Sequence, residues 1–174
     1  MPLTVFQPHV RFGDPHVCSD DRHRLSLHHA LYESLVCRDR QGTYRPALAQ
    51  SWTLQEDART WTFSLRTPLP FHNGDSLQAQ DVIASLERAR DPALGGELGT
   101  QGVYQSYLEG ARFTALDAHT VRIVTAEPMA DLLDLLVDIP VVPERVLADL
   151  PERPVGSGPY HLVEASDTRV VMDA

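Results

Sequence analysis

The 174-residue sequence contains no lysine, so all 15 of its basic residues are arginines, and these form no basic run. With 24 acidic residues the formal net charge is −9, which disfavours nucleic acid and anionic membrane surfaces as partners because both would repel the chain. No apolar run approaches the roughly 18 residues of a membrane-spanning helix. The composition therefore indicates a soluble globular protein that binds no nucleic acid itself.

The sequence has no signal-peptide h-region and few cysteines, so it does not determine the cellular compartment. Residues 1–30 contain no signal-peptide h-region, which fits a cytosolic protein equally with one whose signal is absent from this sequence. The sequence has only two cysteines, Cys18 and Cys37, without metal-type spacing. They could pair in an oxidising compartment, but two unpaired thiols are the favoured interpretation.

Motifs of nucleotide hydrolysis and nucleophilic catalysis are missing as well. There is no Walker-type glycine loop. Ser157 lies in the segment VGSGPY, which is not the G-x-S-x-G pattern, and Pro159 would block the helix that a nucleophile elbow needs. The acidic residues and histidines show no spacing that places a base on a nucleophile. We therefore predict that the protein is not an enzyme.

Hydrophobic periodicity predicts a mixed α/β protein. A helix begins at Arg22, with Asp20 or Asp21 as its N-cap, and a strand covers 61–65, where apolar and polar residues alternate. Trp52 and Trp61 are predicted core residues. The other predicted elements are a strand at 3–6, helices at 79–91, 103–110, 129–137 and 143–150, a hairpin at 113–124, and two closing strands at 160–166 and 168–174.

Three segments, in this order and spacing, resemble one protein family. LYESLVCRDRQGTYRPALAQSW is similar to an opening in which a Tyr-Glu-x-Leu segment precedes a proline and an LAxSW motif. WTFSLRTPLPFHNGDSLQAQDVIASLERARD resembles a signature of strand, Phe-His, glycine turn and a helix with Asp-Val. VGSGPYHLVE is similar to a glycine-proline-tyrosine return strand. The chain thus resembles the solute-binding proteins of ABC importers, family 5, whose members take oligopeptides, dipeptides or nickel complexes.

The resemblance implies a fold and a function. The fold would be a partial periplasmic-binding-protein type II-like fold, with residues 1–45 and 155–174 in an incomplete lobe I and residues 46–154 in an inserted small lobe. The protein would capture a peptide or similar small solute by hinged closure, outside the cytoplasm, for ABC permease subunits in the membrane. No cofactor is implied. The alternative is a ligand-sensing domain of the same type in a cytosolic transcriptional regulator.

The sequence departs from the family pattern in two ways. Gln78 stands where the family has a Thr or Ser N-cap, so either Ser76 has become the cap or the first helical turn is frayed, while Asp81 is retained three residues later. The chain is also about one third of the usual length, which predicts a fragment. An incomplete lobe I would expose apolar surface, and we expect dimerisation or pairing of strand edges there.

Two regions are implied as ligand contacts. The loop containing Asp14, His16 and Asp20 corresponds to the edge of lobe I that faces the cleft. Tyr104 and Tyr107 lie in VYQSYLEG, where family members place an aromatic side chain near the ligand. A tyrosine offers a rigid apolar face and a hydroxyl to an extended ligand. The alternative is that both tyrosines only pack their short helix onto the lobe.

Clustered histidines near the N-terminus raise the question of a metal site. His16, His23, His28 and His29 lie close in sequence to several aspartates. His28 and His29 are adjacent on the predicted helix and therefore point in different directions, which suits joint chelation poorly. We predict no metal site and interpret these histidines as solvated or partly packed.

Overall fold

The computed structural model describes residues 6–8, 10, 12–17, 20–97, 100–166 and 168–174. The described part contains four α-helices, one 3₁₀ helix and eight strands. In chain order they are α1 (Arg22–Leu31), β1 (Val36–Arg38), β2 (Tyr44–Pro46), β3 (Ala49–Leu54), β4 (Thr60–Leu65), α2 (Ala79–Ala89), α3 (Val103–Leu108), β5 (Arg112–Asp117), β6 (Thr120–Val124), α4 (Leu132–Leu136), the 3₁₀ helix (Glu144–Asp149), β7 (His161–Ala165) and β8 (Val170–Asp173).

A four-stranded antiparallel sheet in the order β3-β4-β6-β5 lies at the centre of the fold. In β4 the inward side chains of Trp61, Phe63 and Leu65 alternate with partly exposed ones, as predicted. Phe63 is fully buried and faces Trp52 on β3 and Val121 on β6. The main hydrophobic cluster joins this sheet to residues of α2, α3 and α4. The helices α2, α3 and α4 therefore pack against this sheet through the main hydrophobic cluster.

The Phe-His corner after β4 connects distant parts of the chain. Phe71 is buried in the main cluster, and Gly74 turns the chain with a φ of +87°. The backbone N–H of His72 donates to the Gly156 carbonyl at 2.9 Å, and its Nε2 lies 2.9 Å from the Gly158 carbonyl. The corner and the glycine loop of the third sequence motif are therefore in direct contact.

That glycine loop also lies against the end of α1. The N–H of Gly158 donates to the Leu31 carbonyl at 2.9 Å, and the N–H of Tyr160 donates to the Ala30 carbonyl at 3.1 Å. A Cβ atom at Gly156 would lie only 2.0 Å from the Leu31 carbonyl oxygen, so only glycine permits this approach. A second hydrophobic cluster forms nearby, around Phe12, Leu31, Tyr32, Val142 and Leu150, with Leu162 and Met172 of the β7–β8 hairpin packed against it.

The structure shows which residues are the N-caps of α1 and α2, a choice that the sequence alone did not decide. Asp21, rather than Asp20, is the N-cap of α1, and its carboxylate accepts from the backbone N–H groups of His23 and Arg24. Gln78 occupies the N-cap position of α2, so Ser76 has not replaced it. The Asp81 carboxylate accepts from the Gln78 N–H at 2.8 Å and from the Glu144 N–H at 2.9 Å. Asp81 thereby ties the start of α2 to the 3₁₀ helix.

The remaining predicted elements appear close to their expected places. The hairpin is β5–β6, the two closing strands are β7 and β8, and the helix predicted at 143–150 is the 3₁₀ helix. Of the predicted strand at 3–6, residues 3–5 lie outside the described residues. Trp61 is buried, whereas Trp52 is only partly buried against the main cluster. No helix in the described ranges is long and apolar enough to cross a membrane. The division into lobes stays a prediction.

Candidate functional site

The N-terminal segment 12–17 is fastened to α2 by an ion pair. The Arg88 guanidinium on α2 binds both carboxylate oxygens of Asp14, at 2.9 and 2.5 Å. Asp14 also accepts from the backbone N–H of His16 at 2.9 Å. Burial of the carboxyl acts to raise the pKa of Asp14, but the hydrogen bonds from Arg88 and His16 outweigh it and hold that pKa below its usual value. Asp14 is therefore a charged carboxylate whose partner is already in place.

His16 completes this contact from a fully buried position. Its Nδ1 lies 3.1 Å from the Arg88 guanidinium, which can only donate, so Nδ1 is the acceptor. Its Nε2 lies 2.9 Å from the Pro140 carbonyl and must therefore carry the proton. Burial lowers the pKa of His16 to about 4, although the Pro140 carbonyl acts in the opposite direction. A neutral imidazole thus connects α2 to the chain after α4.

A group of three rings lies behind this segment. His28 on α1 lies edge-on to both Phe12 and Tyr32, and its Nε2 is 2.7 Å from the Phe12 carbonyl. Burial lowers the pKa of His28 to about 4, so this ring is neutral at pH 7. Burial also raises the pKa of the Tyr32 phenol, whose oxygen has no hydrogen-bond partner among the described residues. Buried polar atoms in proteins are normally hydrogen-bonded, so the phenol oxygen of Tyr32 is an exception.

The Tyr32 side chain lines a small cavity between the N-terminal segment, α1 and the chain that follows α4. Its volume is about 20 Å³, which is room for one water-sized group but not for a peptide. Tyr104 of α3 contributes to the wall, and its hydroxyl donates to the Asp138 carbonyl at 3.0 Å. The lining residues are Pro15, Val17, Leu25, His28, His29, Tyr32, Ser34, Tyr104, Val137, Asp138 and Pro140.

The five predicted ligand contacts fall into two groups in the structure. Asp14, His16 and Tyr104 are largely or fully buried and make internal hydrogen bonds, and of these Tyr104 lines the cavity. Asp20 and Tyr107 are exposed, with Tyr107 retaining 53% of its accessible surface. Tyr107 follows Tyr104 by three residues on α3, so the two occupy neighbouring positions on that helix. Contact of any of the five with a ligand stays a prediction.

The structure tests part of what the sequence predicts about the histidines and cysteines. Within the described ranges, no group of three or more His, Cys, Asp or Glu residues could hold a metal ion. The interpretation of the histidines as solvated or partly packed is wrong for His16 and His28, which are buried and engaged with backbone carbonyls, whereas His29 is exposed. Cys37 is an exposed free thiol, and Cys18 lies outside the described residues.

Protonation of the two buried histidines should make the fold sensitive to acid. Unfolded histidine takes up a proton near pH 6.5, whereas folded His16 and His28 do so only near pH 4. The unfolded state therefore binds more protons between these values, so the contribution of these two histidines to stability falls as pH falls through that window and is constant above it. The unfolding free energy of the wild type should fall between pH 7.5 and pH 5. We expect this fall to be about 2 kcal/mol smaller in His16→Gln.

Urea unfolding at the two pH values measures this difference. Gln41→Ala, at an exposed uncharged position between β1 and β2, supplies the control, since it removes no titratable group and should keep the wild-type pH dependence. An unchanged pH dependence in His16→Gln would contradict the assignment of a neutral buried imidazole.

Sequence reasoning missed three residues that shape this region. Arg88 lies within the second sequence motif without a local signal of its role, because its partners Asp14 and His16 lie more than seventy positions away in sequence. Tyr32 lies within the first sequence motif, and Asp138 lies between the helices predicted at 129–137 and 143–150. An isolated acid between apolar residues, as in LLVDIP, was the one available signal for Asp138.

Most of the chain matches a family of known proteins. The family model of bacterial extracellular solute-binding proteins, family 5 Middle, matches residues 43–174. The glutathione-binding protein GsiB of Shigella boydii serotype 4 (strain Sb227) is 31% identical over 139 residues, which are 76% of this chain and 26% of that protein. The chain thus spans about a quarter of the length of the curated relatives it matches.

Two solved structures from A. tumefaciens R10 are similar to this fold. The periplasmic binding protein AgaA, in complex with agropinic acid, is 30% identical with a TM-score of 0.72, covering 82% of this chain and 29% of its own. The binding protein MoaA, in complex with mannopinic acid, is 26% identical with a TM-score of 0.79, covering 92% and 34%. These likenesses confirm the predicted mixed α/β fold of the periplasmic-binding-protein type, present in part.

Proposed function

Because the chain belongs to the bacterial extracellular solute-binding proteins, family 5, we propose that it forms part of the substrate-binding component of an ABC importer. Its solute would be a peptide or a similar small amino-acid derivative. Relatives whose names specify glutathione, agropinic acid or mannopinic acid support this class of solute. The protein would act outside the cytoplasm, deliver its solute to permease subunits in the membrane and catalyse no reaction.

The observation that supports a binding role is the cavity beside Tyr32 and Tyr104. It is partly open, has mixed polar and apolar walls, and is built from four separate stretches of chain. A volume of about 20 Å³ admits only one end of a solute. We therefore propose that the rest of the solute lies over the mouth of the cavity, and that a second lobe, implied by the family, closes over it by a hinge motion.

Titration of the ¹⁵N-labelled chain with glutathione and with tri-alanine tests this proposal. Affinity should be weak, in the millimolar range, because the small cavity encloses little of either solute. The largest chemical-shift changes are expected at the amides of Ser34, Tyr104 and residues 137–139. Saturable shifts at these positions would support the proposal. The absence of shifts with both solutes, or shifts confined to the β5–β6 hairpin, would contradict it.

A pair of tyrosine variants refines the same titration. Tyr107→Ala should weaken binding several-fold, because the exposed ring would cover part of the solute. Tyr160 is likewise an exposed tyrosine, but it lies at the start of the β7–β8 hairpin, so Tyr160→Ala should leave the affinity unchanged. Equal effects of the two substitutions would remove Tyr107 from the proposed site.

A homodimer formed through the hairpin belongs to the same proposal. In the described part of the chain β7 and β8 pair only with each other, and Val163 retains 60% of its accessible surface. Free strand edges with exposed apolar side chains favour pairing with another strand. Sedimentation equilibrium at rising concentration checks this, and a monomer at all concentrations would contradict it.

A further inference from the structure

Asn73 is the only asparagine in the 174-residue sequence, and a glycine follows it. Asn73 and Gly74 are both exposed, in the turn between the Phe-His corner and α2. An asparagine before a glycine is the pair in which a side-chain amide is lost most readily, because glycine has no side chain to obstruct the attacking backbone nitrogen. A Cβ atom at Gly74 would meet nothing within 4 Å, so the surroundings do not shield this peptide bond.

The reaction of such a pair is deamidation, which needs only water. The backbone nitrogen of Gly74, after losing its proton to base, attacks Cγ of Asn73 and forms a new C–N bond. The bond from Cγ to Nδ2 then breaks, and Nδ2 takes up a proton and leaves as ammonia. The succinimide ring that remains is opened by water at either of its carbonyl carbons, which gives aspartate or isoaspartate at position 73. An amide is exchanged for a carboxylate, and nothing is oxidised or reduced.

Hydrogen bonds in the folded turn engage every group that takes part in this reaction. The N–H of Gly74 donates to the Phe71 carbonyl at 2.9 Å, so loss of its proton also breaks that bond. Nδ2 of Asn73 donates to Oδ2 of Asp75 at 2.8 Å. Oδ1 of Asn73 accepts from the backbone N–H of Asp75 at 3.1 Å. Both polar atoms of the Asn73 amide are therefore held by one residue, Asp75.

The Asp75 carboxylate is itself fixed in position. Its Oδ1 accepts from the guanidinium of Arg145 in the 3₁₀ helix, which leaves Oδ2 to Asn73. The backbone carbonyl of Asp75 accepts from the N–H of Phe71 at 2.7 Å, so the main chain also closes the turn. The acceptor that holds Nδ2 of Asn73 is therefore anchored at two points.

The charge of Asp75 also opposes the reaction. Attack on Cγ develops negative charge on Oδ1 of Asn73, and a carboxylate bonded to the same amide repels that charge. The backbone N–H of Asp75 donates to Oδ1 and acts in the opposite direction, but it remains when the side chain of residue 75 is replaced. The side chain is thus the part of Asp75 that slows the reaction.

We propose that Asn73 is a site of spontaneous deamidation and that the side chain of Asp75 protects it in the folded protein. The site does not depend on which solute the protein binds. Deamidation replaces the donor that Asp75 now holds with a second carboxylate, which Asp75 repels. The neighbouring His72 makes the hydrogen bonds to Gly156 and Gly158, so the modified residue adjoins the contact between the Phe-His corner and the glycine loop.

Peptide mass mapping of the full 174-residue chain, incubated in mildly alkaline buffer, measures the conversion of residue 73. The folded wild type should convert about tenfold more slowly than the same chain unfolded in guanidinium chloride. Asp75→Ala should remove most of this protection and convert several-fold faster than the wild type. Arg145→Gln removes the ion pair to Asp75 but leaves the contact between Asp75 and Asn73, so it is the matched control and should convert no faster than the wild type.

Three results would overturn the proposal. The first is an unfolded chain that shows no conversion at residue 73. The second is a folded wild type that converts as fast as the unfolded chain, a comparison that needs no variant. The third is an Asp75→Ala variant that converts at the wild-type rate, or no faster than Arg145→Gln, since equal acceleration would reflect a loosened turn. A melting temperature and a dispersed amide spectrum establish that each variant is folded.

Discussion

Replacing Gly156 with alanine should lower the melting temperature by roughly 6–12 °C, which corresponds to about 3 kcal/mol. The new Cβ would lie 2.0 Å from the Leu31 carbonyl oxygen and 2.9 Å from Cδ1 of Tyr32. The nearest obstacle is backbone, so no side-chain rotation relieves it. The glycine loop would have to move away from the end of α1, and the hydrogen bond from Gly158 to Leu31 would be lost with it. Differential scanning calorimetry measures the shift.

Gly42 provides the control for this substitution. It adopts a φ of +81°, and a Cβ there would meet nothing within 4 Å. Gly42→Ala should therefore cost only the strain of a left-handed alanine, about 1 kcal/mol. If Gly156→Ala melts within a degree or two of Gly42→Ala, the close approach between the loop and α1 is not present in solution.

The second large effect is expected at Arg88. Changing it to glutamine leaves Asp14, which is only 11% exposed, without its cation, and removes the donor to Nδ1 of His16. Breaking a mostly buried ion pair by removing one partner costs about 3 kcal/mol. We expect a fall of similar size in the unfolding free energy from urea titration, and faster hydrogen exchange at the backbone N–H of His16.

A double-mutant cycle separates the pair from the general loss of an arginine. Asp14→Asn combined with Arg88→Gln leaves no unpaired charge, so the double variant should be more stable than the sum of the two single effects predicts. Arg59→Gln, in which a partly exposed arginine loses only a contact to the Thr125 carbonyl, is the control and should cost little. Strict additivity in the Asp14 and Arg88 cycle would contradict direct coupling.

Local patterns were sufficient to predict most of the elements. The alternation from Trp61 to Leu65 corresponds to β4, and the apolar stripe that includes Val82 and Leu86 corresponds to the buried side of α2. The start of α1 was predicted because an N-cap depends on its immediate neighbours. These features depend on interactions between residues a few positions apart. A short stretch of sequence is therefore enough to predict them.

The site was less predictable because its contacts are distant in sequence. His16 was selected as a possible ligand contact, but its packing against Pro140 and Arg88 depends on three elements meeting in space. The same holds for the Tyr32 hydroxyl, whose lack of a hydrogen-bond partner among the described residues follows only from the packing of distant segments around it. Gly156 was recognised as part of a motif, whereas the steric need for glycine follows from its approach to Leu31.

The contact between His16 and Pro140 has a consequence for biosynthesis. The two residues are 124 positions apart, so the N-terminal segment leaves the ribosome well before its docking partner exists. At roughly 5–20 residues per second, the wait is on the order of ten seconds. During that interval Phe12, Leu31 and Tyr32 lack the apolar neighbours Val142 and Leu150 that later cover them. These apolar side chains therefore stay without their later neighbours at least until translation has passed residue 150.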